Sequence, residues 1–316
     1  MEYFPEITDK IRLPLEIEVR PYLFDHRFEG NAVLPAVEAM QLLAESTRAH
    51  LPYADMRCIT NAAFDKFLHI HPGDLRIEAF NEIVMYENSD VTSKLITITR
   101  SKKASITRVK AHVTIGFTNK KQELPDLSVH LISALKGTYF DIPSDKIYSD
   151  LVPFGPAYHN ITGNLHVSEK ETVANIIAPV HSDALSSPLG SCFPLDAAFH
   201  AACVWGQRFS GIVAFPVGFE KRFILRPTRS GENYIARIVP KLETGNWKLE
   251  TGNWKLETGN WKLETRNSKR KLETLIFDIW IYDLKSVLCE AIAGVRMRNV
   301  SAGRVKPPQW IINSLA

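Results

Sequence analysis

Two short stretches of the chain carry side chains of the kinds that acid–base catalysis needs. In one of them, Asp196 and His200 are four residues apart, so they share one face of a helix and can hydrogen-bond. The residues around them are small and apolar, and burial disfavours the charged form of a carboxyl group. We therefore expect a raised pKa for Asp196, toward that of a useful proton donor, with His200 orienting the carboxyl group. Both residues could instead be structural, with Asp196 capping the helix and His200 as a hydrogen-bonded core residue.

The other stretch places a histidine just before a helix start. His26 ends an extended run, Gly30 follows four residues later, and Pro35 stands where a helix would begin. Proline is favourable at the first helical position, because its missing N–H would be unpaired there anyway, and Gly30 allows a tight approach of the backbone. A helix N-terminus beside His26 would suit a developing oxyanion, such as an enolised thioester. The alternative is that His26 only caps a loop.

Each of the two stretches is predicted to lie at the start of a helix, and the elements before and after the two helices follow the same order. The first predicted helix runs from Leu34 to Leu51 with one broad apolar face, and the second runs from Pro194 to Gln207. Each helix follows an extended opening, at Ile11 to Phe24 and at Ile161 to Ile177. Strand-like runs follow each helix, several alternating apolar with polar residues: Cys58 to Ile70, Leu75 to Tyr86, Thr92 to Arg100, Ile106 to Phe117, then Ile212 to Leu225, Tyr234 to Pro240, Leu275 to Leu284 and Leu288 to Val300.

The simplest architecture for this order is α+β, with one helix laid across a strongly bent antiparallel sheet, built twice. A length of 316 residues also favours two domains or two similar halves. We predict an N-terminal half at 1–125, a linker at 126–145 and a C-terminal half at 146–316. The stretch from Asn119 to Asp145, which contains this linker, carries Pro125 and Pro143.

A repeated segment interrupts the second half. The heptad KLETGNW occurs three times without change from Lys241 to Trp261, and KLET returns at Lys262 and Lys271. Solenoid repeats are longer and drift in sequence, so identical heptads indicate an expansion within a loop, at about 241–274. Without the repeats, the flanking runs would form an ordinary antiparallel pair of strands.

Composition and charge exclude several classes of protein. Hydrophobic residues make up 45% of the chain and charged residues 23%, both typical of globular proteins. A net charge of +3 is far from the strongly basic surface of a nucleic-acid-binding protein. No apolar run is long enough to cross a bilayer, and the opening MEYFPEITDK lacks the basic start and apolar stretch of a signal peptide. We expect a cytoplasmic protein without a membrane span.

Metal binding has little support in the sequence. The four cysteines lack zinc-ligand spacing, and we expect buried thiols at Cys58, Cys192, Cys203 and Cys289. His69 and His71 are two residues apart and could bind a metal ion together with Asp74, although structural roles are the stronger interpretation. We predict no metal and no diffusible cofactor.

The order of these motifs resembles that of the dehydratase domains of polyketide synthases and related fatty-acid synthases. The HxxxGxxxxP motif is complete at His26, Gly30 and Pro35, and the DxxxH motif is complete at Asp196 and His200. Between and after them lie counterparts of two further family segments, Leu151 to Ala157 with its Phe-Gly-Pro and, more loosely, Phe215 to Phe219.

The resemblance implies a double hotdog fold, in which two bent sheets each wrap around a long central helix. It implies that His26 of the first half and Asp196 of the second face each other across a tunnel and remove water from a 3-hydroxyacyl thioester. His26 would take the proton from carbon 2, protonated Asp196 would donate to the leaving hydroxyl, and His200, Gly30 and Pro35 would support them. The residues expected to line the tunnel are Phe154, Gly155, Pro156, His159 and Phe215.

The same resemblance implies that the substrate is carried on the phosphopantetheine arm of an acyl carrier protein, with other synthase components as partners. Coenzyme A thioesters and a homodimer are further possibilities. One departure from the family is Phe154, where a tyrosine is usual, so a hydroxyl that could bind substrate is lost. Alternatives are an aldol cyclase of the product-template type, a double-bond isomerase, and a catalytically silent module that binds acyl chains.

Overall fold

The computed structural model describes residues 5–100, 107–118, 139–180, 187–241 and 274–313. Its helices are α1 (Ala36–His50), α2 (Ser144–Lys146), α3 (Phe193–Trp205) and α4 (Gln309–Asn313). Its strands are β1 (Ile7–Glu18), β2 (Arg27–Phe28), β3 (Asn31–Ala32), β4 (Cys58–Phe64), β5 (Arg76–Tyr86), β6 (Val91–Arg100), β7 (Thr107–Phe117), β8 (Phe140–Pro143), β9 (Ile161–Val167), β10 (Thr172–Ile177), β11 (Phe215–Ile224), β12 (Asn233–Pro240), β13 (Thr274–Asp283) and β14 (Leu288–Arg298).

Twelve of these strands form one antiparallel sheet in the order β1-β5-β6-β7-β4-β11-β14-β13-β12-β10-β9-β8. The two halves of the chain meet where β4 pairs with β11, with Thr60 opposite Lys221 and Cys58 opposite Phe223. In each half, the strand that follows the long helix is the one at this junction. This arrangement confirms the prediction of a helix on an antiparallel sheet, built twice.

Helix α1 lies on the sheet of the first half by its apolar face. Its buried residues recur every three or four positions, as an amphipathic helix requires, and include Val37, Met40 and Leu43. The helix begins two residues later than predicted, because Pro35 has extended backbone angles (φ −60°, ψ 142°) and forms the N-cap. The expectation that Pro35 is the first helical residue is therefore wrong, although its carbonyl does accept the N–H of Ala39 at 3.0 Å.

Helix α3 is buried on every side. All of its residues from Phe193 to Trp205 are buried, which is typical of a helix enclosed by its sheet. The chain continues from it into a π-helical turn at Gly206–Ser210, which ends where Gly211 takes a left-handed conformation (φ 66°). Despite this apolar character, no helix in the described part of the chain has the length and hydropathy to cross a membrane.

Three strands of the second half, β8, β9 and β10, differ from the sequence predictions. The predicted extended run from Ile161 to Ile177 consists of two strands, β9 and β10, that pair in antiparallel orientation. The short strand β8 pairs with β9, with Ile142 opposite Leu165, so this sheet includes residues before 146, the predicted start of the C-terminal half. The rest of the predicted linker, up to residue 138, lies outside the described residues.

The strands on either side of the repeats pair as predicted. β12 and β13 are antiparallel neighbours, with Tyr234 opposite Asp283 and Pro240 opposite Phe277, and the N–H of Lys241 donates to the Ile276 carbonyl at 2.8 Å. From Leu242 onward, the KLETGNW repeats lie outside the described residues. The hairpin is therefore complete up to the point where the repeats begin.

We predict that replacing residues 242–273 with Asn-Gly leaves the fold intact. Loop closure costs about 0.6 kcal/mol per doubling of loop length, so the shorter loop is expected to stabilise the protein by about 2 kcal/mol. Thermal unfolding should show an unchanged or raised melting temperature. The matched control is Ile238→Asp, which places a charge at a fully buried position of β12 and should lower the melting temperature strongly. A deletion variant as unstable as this control would contradict the prediction.

Candidate active site

His26 is held by the backbone that leads into helix α1. It follows a short 3₁₀ helix, Pro21–Asp25, so the expectation that His26 ends an extended run is wrong. Its Nδ1 lies 3.1 Å from the carbonyl oxygen of Val33. The N–H of Val33 donates in return to the carbonyl of His26 at 3.0 Å. Because a carbonyl can only accept, Nδ1 carries the proton in the neutral ring and Nε2 keeps a free lone pair. The local fold thus presents Nε2 of His26 as a base.

The surroundings of His26 favour its neutral form. Burial lowers the pKa of His26, and the positive charge of His200 lowers it further, whereas the charge of Asp196 and the hydrogen bond to Val33 act in the opposite direction. The net effect is a pKa below the ordinary value, since an imidazolium loses much of its hydration in this environment. His26 is therefore unprotonated at neutral pH.

Asp196 and His200 form a buried pair on the first turns of helix α3. Nε2 of His200 lies 3.0 Å from Oδ2 of Asp196, and each residue is only 4% exposed. Burial raises the pKa of Asp196, but the neighbouring imidazole of His200, with a smaller contribution from His26, outweighs that effect and holds the pKa below its ordinary value. The prediction of a raised pKa for Asp196 is therefore wrong, because it considered burial without the histidine charges.

One aromatic ring joins the base of the first half to the pair of the second. The centroid of Phe154 is 4.4 Å from that of His26 and 5.0 Å from that of His200. Asp196 and His26 are also close enough for each to shift the pKa of the other. The structure thus brings together the three polar residues that the two motifs singled out.

A backbone clamp ties the loop that bears Phe154 to the loop that bears His26. The carbonyl of Asp25 accepts the N–H of Gly155 at 2.7 Å, and its carboxylate Oδ2 accepts the N–H of Ala157 at 2.9 Å. A side chain at Gly155 would overlap the carboxyl group of Asp25. The sequence analysis missed Asp25, although a helical turn that opens with Gly-Pro needs an acceptor for its first N–H groups.

The other residues of the first motif lie around the hairpin of β2 and β3. Gly30 is exposed and takes φ +80° at the hairpin turn, a conformation that glycine adopts without strain. Phe28, two residues after His26, packs edge-on against Phe215 with centroids 5.1 Å apart and lies 4.6 Å from Phe67. Phe215 thus belongs to an aromatic cluster beside the hairpin, and its place in a tunnel stays a prediction.

Two residues predicted to line the tunnel are at the surface. Pro156 and His159 are both exposed. Nε2 of His159 lies 2.9 Å from the carbonyl of Phe154, and its ring stacks on Tyr148 with centroids 4.3 Å apart. Tyr148 in turn has its ring centroid 6.0 Å from that of His200. These contacts place His159 on the outer side of the segment, and its role in a tunnel stays a prediction.

A second carboxyl group, half-buried, lies close to the pair and was not among the predicted residues. Oε1 of Glu38, on helix α1, accepts the hydroxyl of Tyr22 at 3.0 Å and the thiol of Cys192 at 3.4 Å. Burial raises the pKa of Glu38. The carbonyl of Cys192 accepts the N–H of Asp196 at 3.2 Å, so Glu38 helps to fix the start of helix α3. A half-buried glutamate within a helix face carries no sequence signal of such a contact.

The candidate metal ligands do not form a cluster. His69 and His71 are exposed, and Asp74 accepts the backbone N–H of His71 at 2.8 Å in a turn. Among the residues that the structure describes, no three His, Cys, Asp or Glu side chains come together as metal ligands would. All four cysteines are free thiols; three are buried as expected and Cys58 is half-buried.

Comparison with known proteins shows which solved structures have a similar architecture. No protein-family model and no curated protein sequence matches the chain. Among solved structures, it is similar to a trans-AT polyketide synthase dehydratase domain from Brevibacillus brevis, with 16% identity, a TM-score of 0.65, and coverage of 92% of this chain and 94% of that chain. The dehydratase domain of a mycocerosic acid synthase-like polyketide synthase gives 15% identity, a TM-score of 0.68 and 95% coverage of both chains.

A third similar structure is the dehydratase domain of the CurF module of the curacin polyketide synthase, with 14% identity, a TM-score of 0.65, and coverage of 94% of this chain and 96% of that chain. The chain has the fold of polyketide synthase dehydratase domains. This confirms the predicted α+β double hotdog. The dehydratase-domain fold here spans nearly the whole chain, from β1 to the strands after the repeats.

We predict that Gly155→Ala destabilises the protein by about 1–3 kcal/mol through overpacking against Asp25. Gly155 has ordinary backbone angles (φ −77°, ψ 172°), so the cost comes from the contact and not from the conformation. The measurement is the free energy of unfolding in urea. In an Asp25→Gly background the overlapping side chain is absent, and the same substitution should cost almost nothing. An equal cost in both backgrounds would show that the clamp does not restrict position 155.

Proposed function

We propose that the protein is a dehydratase that removes water from 3-hydroxyacyl thioesters to give 2,3-enoyl thioesters. One observation carries this proposal: the imidazole of His26 and the Asp196–His200 pair come from opposite halves of the fold and contact the same Phe154 ring. Elimination of water needs a base at carbon 2 and a proton donor at the hydroxyl of carbon 3, and this site contains both kinds of group. Similarity to polyketide synthase dehydratase domains supports the same reaction class.

His26 is suited to the role of the base. Its Nδ1 proton is committed to the Val33 carbonyl, so Nε2 is the nitrogen that can accept a proton. In the proposed step the C–H bond at carbon 2 breaks, its proton moves to Nε2 of His26, and the electron pair forms the double bond to carbon 3.

The Asp196–His200 pair is suited to the role of the acid. The bond between carbon 3 and its oxygen breaks, and the hydroxyl leaves as water with a proton from the pair. Because His200 lowers the pKa of Asp196 and the two side chains lie 3.0 Å apart, we propose that the pair acts as the proton donor as a unit. Return of the proton from His26 to the pair regenerates the starting state, so protons balance over one turnover.

The proposed substrate is an acyl chain on the phosphopantetheine arm of an acyl carrier protein, and the proposed partners are that carrier and the other components of a synthase. The chemistry above uses only side chains of this chain and needs no metal or diffusible cofactor. A cytoplasmic location and a homodimer stay predictions from the sequence.

The test is turnover of 3-hydroxybutyryl and longer 3-hydroxyacyl carrier thioesters, followed by mass spectrometry for the loss of water. A well-placed proton-transfer group contributes about 10²- to 10⁴-fold, so His26→Ala and Asp196→Asn should each lower kcat/KM by about that factor. His69→Ala, at an exposed position, is the matched control and should turn over like wild type. A wild type no faster than His26→Ala would contradict the proposal, and cyclised aromatic products from poly-β-keto substrates would favour the aldol cyclase.

The pH dependence of kcat/KM provides a further expected result. The base acts in its neutral form, and burial lowers the pKa of His26, so activity should persist as the pH falls through the ordinary histidine value of about 6.5. The acid limb of the profile should therefore lie below that pH. An acid limb above about 6.5 would contradict the assignment of a buried neutral imidazole as the base.

A further inference from the structure

The hydroxyl group of Tyr158 is buried and has no use in the mechanism described so far. Tyr158 is fully buried at the end of the helical turn Pro156–Tyr158. Within the described part of the chain, its hydroxyl oxygen has no hydrogen-bond partner. A buried hydroxyl without a partner is costly, and such groups in native proteins usually serve a purpose.

The Tyr158 side chain lies between the base and the start of the helix that carries the acid. Its ring meets the His26 ring edge-on with centroids 5.1 Å apart and packs against Phe193 at 5.7 Å. Phe193 is three residues before Asp196 in helix α3. The ring of Tyr158 therefore lies next to the imidazole that acts as the base in the proposed reaction.

The clamp described above also fixes this side chain. The N–H of Tyr158 donates to the Gly155 carbonyl at 3.0 Å, and the turn that contains both is held by the carbonyl and carboxylate of Asp25. Asp25 directly precedes His26 in the chain. The position of Tyr158 relative to His26 is thus set by direct contacts between the two loops.

The hydroxyl keeps its proton and can only donate or accept as a neutral group. Burial raises the pKa of Tyr158, and the nearby negative charges of Glu38 and Asp196 raise it further. A neutral phenol in a poorly hydrated site is a strong donor toward an oxygen that becomes negative during the reaction.

The proposed reaction needs such a donor close to the base. As carbon 2 loses its proton, negative charge develops on the thioester carbonyl oxygen, which is separated from carbon 2 by a single carbon atom. The two N–H groups that directly follow the β2–β3 hairpin are committed, because that of Val33 donates to His26 and that of Leu34 donates to Leu68. Pro35 has no N–H, and Phe154 has no hydroxyl.

We propose that the Tyr158 hydroxyl binds the thioester carbonyl oxygen of the substrate and stabilises its negative charge during proton removal. This inference rests on the proposed dehydratase function. It makes Tyr158 a substrate-binding residue that replaces the hydroxyl lost at Phe154.

The test is Tyr158→Phe, which removes only the hydroxyl, with turnover and thermal unfolding measured on the same preparation of full-length protein. Loss of one oxyanion donor typically lowers kcat by about 10²- to 10³-fold. We expect a loss of this size in kcat with little change in KM, because the charge appears only in the transition state. We also expect an unchanged or raised melting temperature, because an unpartnered buried hydroxyl is removed.

The matched control is Tyr22→Phe, in a ring that also packs against Phe193 but whose hydroxyl donates to Glu38. It should keep kcat within a few-fold of wild type. If Tyr158→Phe turns over like wild type, or if its melting temperature falls in step with its activity, the inference is overturned while the dehydratase function stands. A wild type inactive on every 3-hydroxyacyl thioester would overturn both.

Discussion

The contact of one phenyl ring with two imidazoles is the interaction on which the proposed site depends. Phe154 touches His26 from the first half and His200 from the second, and its loop is fixed to the first half by the Asp25 clamp. Pairing of β4 with β11 brings the halves together only at the level of the sheet. The loop of Phe154 extends this contact to the polar side chains of both halves.

Three polar side chains lie around one aromatic ring, where charged groups are costly. The two halves of the site offset this electrostatic cost in different ways. His26 remains neutral because its charged form is poorly hydrated. Asp196 remains charged more readily than burial alone would allow, because His200 lies 3.0 Å away. The base and the acid are therefore tuned by opposite means. Removal from water lowers the pKa of His26, and a neighbouring charge lowers that of Asp196. Two groups with such different environments can take separate roles as proton acceptor and proton donor.

Local patterns predicted most of the fold, whereas contacts between distant loops have no signature in the sequence. The apolar spacing of helix α1 and the alternation along β6 follow from residues close in sequence, so their positions were predicted within a few residues. The strand β8 is too short to show a period. Asp25 and Tyr158 act across more than a hundred residues of chain, and no local pattern records such a contact. The lowered pKa of Asp196 likewise depends on the balance between burial and nearby charges. That balance is set by the distances between groups far apart in sequence.

The most direct test of the account is a crystal structure of the protein with a stable amide analogue of a 3-hydroxyacyl pantetheine thioester. We predict that carbon 2 of the analogue lies about 3–3.5 Å from Nε2 of His26, as in a reactive complex. The 3-hydroxyl should lie about 2.6–3.2 Å from a carboxyl oxygen of Asp196. An analogue bound away from both residues, or in contact with only one of them, would contradict the claim that the two halves act on one substrate.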